Sequence, residues 1–288
     1  MSNYRLSYNN FDRKEPSRLP KSIIWLSVEG KETEINYFNL LEKYKIEIGI
    51  NSNIRIETIK RIDTNSDPYS VLELLEECVE TRKTTLLDNI CDLSNLVKTL
   101  GIGKIKQYLD NKTLLTMEER NKIDVALKTA NYDIEYQKYI KEAKAEEDIY
   151  CIVVDTEGKN NPLRIVLEKV LNECEKRGYK YFLSNPCFEF FLLLHTYNPK
   201  KEYKENKNNF INNPKISNKH TYVSKLLSKT NHHQKYVSEV IFKKEYLPNI
   251  QNALKNSKEW ANTPEEVKLD VGSNMIDFFN LVLNDNNL

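Results

Sequence analysis

The apolar positions of the chain fall into alternating rhythms. Residues 22–28, Ser-Ile-Ile-Trp-Leu-Ser-Val, form a nearly continuous apolar run, the pattern of a strand buried on both faces. The run stops at Glu29-Gly30, and residues 33–41 read as a helix with Phe38 and Leu41 on its apolar side. Residues 54–59 alternate with period two and predict a strand with one wetter face. Asp67-Pro68 then opens a helix through Val71, Leu72, Leu75, Cys78 and Val79, with Asp as N-cap and Pro at the first helical position. Residues 149–154 give a third strand, ending at Asp155-Thr156-Glu157-Gly158; Pro162 opens a helix over 163–177 that Gly178 closes. Residues 179–183 are a fourth strand, and Ser184-Asn185-Pro186 are expected to cap a very apolar helix over 187–195. Strands alternating with helices predict an α/β fold, Rossmann-like, with a mainly parallel sheet flanked by helices.

The third strand is delayed by a long helix-like excursion, about residues 82–148. Its helices are expected over 86–100, 116–130 and 132–147, and residues 86–150 hold ten Lys/Arg against twelve Asp/Glu. It reads as a helical insertion, either a spacer with a small core of its own or a docking surface. Residues 199–235 carry Pro199, Pro214 and many Asn, which argue for loops. Residues 236–256 and 264–285 then read as helices. The expected organisation is a basic arm over 1–21, an α/β domain over 22–198 containing the insertion, and basic loops and C-terminal helices over 199–288 packed on it.

Composition narrows the function classes. The 288 residues hold 43 Lys+Arg against 42 Asp+Glu, which excludes a uniformly basic nucleic-acid coat but not a local patch. Such a patch stands at 199–235, with nine lysines against two glutamates. No apolar run of about 18 residues is present, so no membrane span is expected, and the N-terminus has no apolar signal core. The five cysteines are widely spaced without a CxxC pair, which supports neither a zinc ribbon nor a disulfide framework. A reducing, cytoplasmic compartment is the expectation.

In parallel sheets the ligand site lies off the carboxyl ends of the strands, and here two of those ends are acidic. Glu29 sits at the end of a buried strand, before Gly30 and a helix N-terminus where backbone N–H groups can meet an anion. Lys31 and Glu34 follow in the same turn. Asp155 and Glu157 sit just past another buried strand. Mg²⁺ and Mn²⁺ prefer oxygen ligands and take one or two carboxylates plus water and phosphate, so Glu29, Asp155 and Glu157 are the candidate catalytic and metal-ligating residues. Glu189, in the first turn of an otherwise apolar helix, is an accessory candidate, as is Glu34. His195 is read as a helix C-terminal residue rather than a ligand. Lys31, Lys200, Lys201, Lys204 and Lys219 are candidates for phosphate contacts. Other motifs fail on spacing: Gly101-Ile102-Gly103-Lys104 lacks the earlier glycine and the Ser/Thr of a P-loop, and no GxSxG elbow occurs.

Three stretches together carry a family resemblance: VEGKETEINYF (28–38), IYCIVVDTEG (149–158) and SNPCFEFFLLLH (184–195). They resemble the RloB-like family, whose fold is similar to Toprim, the metal-binding catalytic domain of topoisomerases, primases and certain nucleases. The resemblance covers the scaffold of 22–198 without the insertion. It implies a metal site of Glu29, Asp155 and Glu157, the last being Glu where the Toprim pattern has Asp. It also implies an ABC/AAA-type, RloA-like ATPase partner in an anti-phage, abortive-infection operon. The resulting expectation is a Mg²⁺- or Mn²⁺-dependent nuclease effector acting on DNA or RNA, possibly tRNA. The rival expectations are a non-catalytic subunit that binds the ATPase, and nucleotidyl transfer at the same site.

Overall fold

The computed structural model describes residues 20–60, 67–91, 99–130, 132–156, 163–230 and 236–284. Apart from its last two residues, the basic arm expected over 1–21 lies outside these. Four parallel strands, β1 (Ser22–Val28), β2 (Ile54–Thr58), β3 (Glu147–Asp155) and β4 (Lys180–Asn185), make most of one five-stranded sheet in the order β2-β1-β3-β4-β5. The fifth strand, β5 (Gly272–Ser273), runs antiparallel to β4. All seven residues of β1 are buried, because helices cover both faces of the sheet. The α/β, Rossmann-like expectation therefore holds.

Successive strand residues point to opposite faces, and the two cores follow that alternation. Ile24, Leu26, Cys151 and Val153 join α1 (Thr33–Lys43), α8 (Phe188–Thr196), α11 (Ile250–Ser257) and α12 (Met275–Val282) through Phe38, Leu41, Phe191, Ala253 and Phe278. Ile23, Trp25, Ile152 and Val154 face α2 (Pro68–Lys83) and α7 (Leu163–Arg177) through Val71, Leu75, Leu167 and Leu171. Each fully buried Leu or Phe of this kind contributes about 1.5–3 kcal/mol relative to exposure. Asp67 caps α2 as its sequence predicts, accepting from the N–H groups of Tyr69 and Ser70, and Gly178 ends α7 at φ 73°.

The excursion before β3 contains α3 (Leu86–Cys91), α4 (Ile102–Asn111), α5 (Met117–Thr129) and α6 (Ile134–Glu142). Of the helix expected over 86–100, α3 up to Cys91 and residues 99–100 are helical, and 92–98 lie outside the described residues. Helix α4 was not expected. It forms because Ile105 and Tyr108 bury against Ile90, Leu115, Ile123 and Leu127 in a small separate core. Arg82 ties this region to the sheet: its guanidinium donates to both oxygens of Asp148 and to the carbonyls of Ile140 and Ala143. Trp25 Nε1 donates to the same Asp148 at 2.9 Å.

The structure corrects the C-terminal reading. Residues expected as loops in 199–235 form α9 (Lys200–Asn212) and α10 (Tyr222–Thr230). Few of their residues are apolar, but Phe210, Val223 and Leu227 are buried, and that burial outweighs the Asn-rich composition. The helix expected over 236–256 forms as one helical run over 239–257, but its winding widens at Phe242–Tyr246 and tightens at Leu247–Asn249, where Pro248 has no N–H to continue a helical ladder. The helix expected over 264–285 is instead a short turn, Pro264–Val267, then β5, then α12. No helix among the described residues is long and apolar enough to cross a membrane.

Candidate functional site

The parallel register brings the acidic strand ends together. Val28 pairs with Val153, and the Glu29 N–H continues the ladder to the Val153 carbonyl at 3.0 Å. Two residues on, the Asp155 N–H donates to Glu29 Oε2 at 2.9 Å. Asp155 is in register with Ser184 of β4, and Thr156 N–H donates to the Ser184 carbonyl at 2.9 Å. After β4 the chain passes a cis Asn185–Pro186 bond and enters α8.

The cap of α8 differs from expectation. Ser184 and Asn185 belong to β4: Ser184 Oγ pairs with Ser273 Oγ at 2.9 Å, and Asn185 Nδ2 donates to the Val267 carbonyl at 2.7 Å. Cys187 stands at the N-cap without a side-chain cap bond. The acceptor comes from across the sheet, since Asp155 Oδ1 takes the Phe188 N–H at 2.8 Å. A first-turn N–H has no intrahelical partner, and a carboxylate there also meets the positive end of the helix dipole. Glu29, Asp155 and the start of α8 thus form one hydrogen-bonded chain.

Two further carboxylates border it. Glu34, in the first turn of α1, is 7% exposed, and its Oε2 would lie 1.7 Å from a Cβ built on Gly30. Only a residue without a side chain permits that approach. Glu189 follows Phe188 directly and is 5% exposed. Glu157, the third expected ligand, lies in 157–162, outside the described residues. Among the described residues no three His, Cys, Asp or Glu side chains lie together in a way that could hold a metal ion. Those present are of the right kind for Mg²⁺ or Mn²⁺, being hard oxygen donors. The N–H bonds take one oxygen each of Glu29 and Asp155, while a carboxylate offers about four lone-pair sites, so these bonds orient the groups without excluding ligation.

His195 belongs to the core. It is 1% exposed, with Nδ1 3.2 Å from the Phe191 carbonyl and Nε2 3.0 Å from the Tyr37 hydroxyl. A carbonyl only accepts, so Nδ1 carries the proton and Nε2 accepts from Tyr37. Burial pushes the His195 pKa down to about 4 and the Tyr37 hydroxyl well up. Rings of Phe38, Phe188, Phe191, Phe242 and Tyr246 enclose Tyr37. The Tyr37–His195 pair was not anticipated; its only signal was a polar tyrosine on the apolar side of α1.

The expected phosphate-contact lysines separate. Lys31 is exposed in the turn after Glu29, and Lys201, Lys204 and Lys219 are exposed on α9 and the turn that follows it. Lys200 is engaged, with its Nζ 3.9 Å over the Trp260 ring and donating to the Glu259 carbonyl. Burial lowers its pKa. The structure brings Glu29 and Asp155 together with Glu34 and Glu189 alongside, and places Lys200, Lys201 and Lys204 on α9 and Lys219 in the turn between α9 and α10. Cys78, Cys151, Cys174 and Cys187 are free thiols and buried, and burial raises the pKa of the first three, so none of those three is poised as a nucleophile.

The family model for RloB-like protein matches residues 24–282 of the chain. No curated protein and no solved structure matches it.

Proposed function

The chain belongs to the RloB-like family, and on that premise we propose that it is a metal-dependent, Toprim-like nuclease that hydrolyses phosphodiester bonds of DNA or RNA at the Glu29–Asp155 strand edge. The observation that carries the reading is the hydrogen-bonded chain from Glu29 through Asp155 to the first turn of α8. It holds two carboxylates from adjacent strand ends in fixed orientation, at the sheet edge where α/β proteins bind ligands. Glu29, Asp155 and Glu157 would hold Mg²⁺ or Mn²⁺, which supplies charge stabilisation for an in-line phosphoryl displacement. Glu29 would also take the proton of an attacking water, with Glu34 and Glu189 as accessory carboxylates beside the pair. The proposed setting is the cytoplasm, with an ABC/AAA-type, RloA-like ATPase as partner and abortive infection as outcome. The same carboxylates would serve nucleotidyl transfer, and nucleotide incorporation measured beside strand cleavage separates the two.

The test is Glu29→Gln in the purified chain, assayed for cleavage of labelled DNA and RNA with Mg²⁺, and in cells carrying the ATPase gene. Loss of both cleavage and phage protection, in a variant as stable as the wild type, is the expected result. A Glu29→Gln chain that cuts and protects as the wild type does removes Glu29 from the chemistry.

One observation favours a second reading. Asp155 serves as a cap for α8, a structural duty, and the insertion exposes Leu114, Met117 and Val125 at 67%, 73% and 63%. A scaffold that docks the ATPase through this insertion would need no catalysis. Protection lost on deleting 86–147 but kept in Glu29→Gln would establish it.

A further inference from the structure

The basic segment folds into a helical pair with features that helix packing does not require. Lys201, Lys204 and Lys207 are exposed on α9, as are Lys225 and Lys229, four residues apart, on α10. Among the described residues none of these five forms an ion pair. Lys204 stands near enough to Lys200 to lower its pKa by like-charge repulsion. Of the two acids on α9, Glu202 already accepts from the Tyr197 hydroxyl. Asn206 leaves helical geometry (φ −133°, ψ 36°) and kinks α9. A shallow hollow of about 320 Å³ opens there, lined by Lys204, Glu205, Asn206, Lys207, Asn208 and Asn209. Three asparagines in a helix interior cost helix stability, yet here all three line the hollow together with Lys204 and Lys207.

The pair is anchored at the acidic edge. Asn213, at φ 39°, accepts the Val223 N–H through Oδ1 at 3.0 Å and donates through Nδ2 to Cys187 Sγ at 3.4 Å. Cys187 immediately precedes Phe188, whose N–H holds Asp155. Phe190 of α8 packs on Phe210 and Trp260, with ring centroids 6.4 and 4.9 Å away. The turn between α9 and α10 is thereby tied to the first residues of α8.

We propose that α9 and α10 form a clamp for the phosphate backbone of a nucleic acid, guiding a strand from the kink of α9 towards the Glu29–Asp155 edge. The destination rests on the nuclease reading above; the binding surface does not. The clamp reads backbone rather than bases. Trp260 and Tyr203 lie beneath Lys200 and Lys207, with the Nζ atoms 3.9 and 5.7 Å from their ring centroids, so neither ring offers an open face there for base stacking. Binding is therefore sequence-tolerant and strongly salt-dependent.

The test uses the full chain with fluorescein-labelled RNA and DNA strands of about 30 nucleotides, followed by anisotropy across a salt series. Each phosphate contact to a single strand adds about 0.7 to the slope of log K against log salt. A Lys201→Ala, Lys204→Ala, Lys207→Ala variant is expected to lose about 2 from that slope and to raise the KM for cleavage with kcat little changed. Lys225→Gln with Lys229→Gln, both on exposed positions, is expected to lose about 1.4 and guards against a misfolded triple variant. Glu29→Gln is expected to bind with the wild-type slope. Binding with an unchanged slope in both lysine variants overturns the clamp and leaves the nuclease reading intact. Lysine-dependent binding with normal cleavage by Glu29→Gln keeps the clamp and overturns the catalytic assignment. Lysine-dependent binding to phosphatidylglycerol vesicles but to neither nucleic acid overturns both.

Discussion

Asp155 carries two duties that substitution separates. Its Oδ1 accepts the Phe188 N–H at 2.8 Å, and its charge is the one proposed to help hold the metal; its backbone N–H, which orients Glu29 at 2.9 Å, survives either substitution. Asp155→Asn keeps an acceptor oxygen of nearly the same shape and removes the charge; Asp155→Ala removes both. Loss of a helix-capping acceptor costs about 1 kcal/mol, and loss of the charge–dipole interaction costs about 0.3–1 kcal/mol more. Asp155→Ala is therefore expected to lose about 1.5–2 kcal/mol and Asp155→Asn about 0.5 kcal/mol. At about 2–4 °C per kcal/mol for a chain of this size, the melting temperature falls by about 3–8 °C and about 1–2 °C respectively. Circular dichroism melts measure this, with cleavage of labelled strands in Mg²⁺ run on the same preparations. Both variants are expected to be inactive, so activity and stability part company in the Asn variant. A melting temperature for Asp155→Asn as low as that of Asp155→Ala would refute the capping argument. A folded Asp155→Asn that cuts at the wild-type rate would refute the assignment of this carboxylate to the chemistry.

Two other predictions rest on buried contacts. His195 is held neutral between Phe191 and Tyr37, with Tyr246 also against its ring, and its pKa falls from 6.5 to about 4 on folding. Between those values the unfolded chain binds the extra proton, so stability is full above about pH 7 and is lost as pH falls through the window. The loss is about 2.5 kcal/mol by pH 4.5. Urea titrations at pH 7.5 and 4.5 should show His195→Gln losing less than the wild type by about that amount, and equal losses would sink the argument. Gly30→Ala would press a methyl group into the Glu34 carboxylate, the far end of a side chain that can turn aside, at a cost of about 1 kcal/mol, the low end for overpacking. Gly30 is not among the positive-φ glycines, so the cost is steric and should vanish in a Glu34→Ala background; a cost that persists there points to some other contact.

The strands and the helices beside them were legible because their signals are local. A strand buried on both faces needs an unbroken apolar run, and β1 and the inner part of β3 are such runs. Asp67 and Gly178 punctuate helices through capping and left-handed geometry. The candidate site was legible for a related reason. Once four strands are parallel, their carboxyl ends share one edge, and the acids ending β1 and β3 must meet there. Helices α9 and α10 were not legible, since their stability comes from Phe210 and Val223 closing over Trp260 and α8 and from Leu227 entering the larger core, partners far away in sequence. Strand β5 was hidden for the same reason: two residues carry no periodicity, and only the edge of β4 makes them a strand.

By itself, then, the amino-acid order determined the alternation of strands and helices, the sheet they form, and which acids would stand at its carboxyl edge, because burial on both faces and chain punctuation act between near neighbours. Only the tertiary structure decided how those acids are used. Whether Asp155 caps α8, whether Glu34 rests on Gly30, whether His195 is a buried neutral partner of Tyr37, and whether the lysines gather on a kinked helix anchored at that edge depend on contacts between segments up to 158 residues apart. Such contacts exist only once the sheet has brought the segments together.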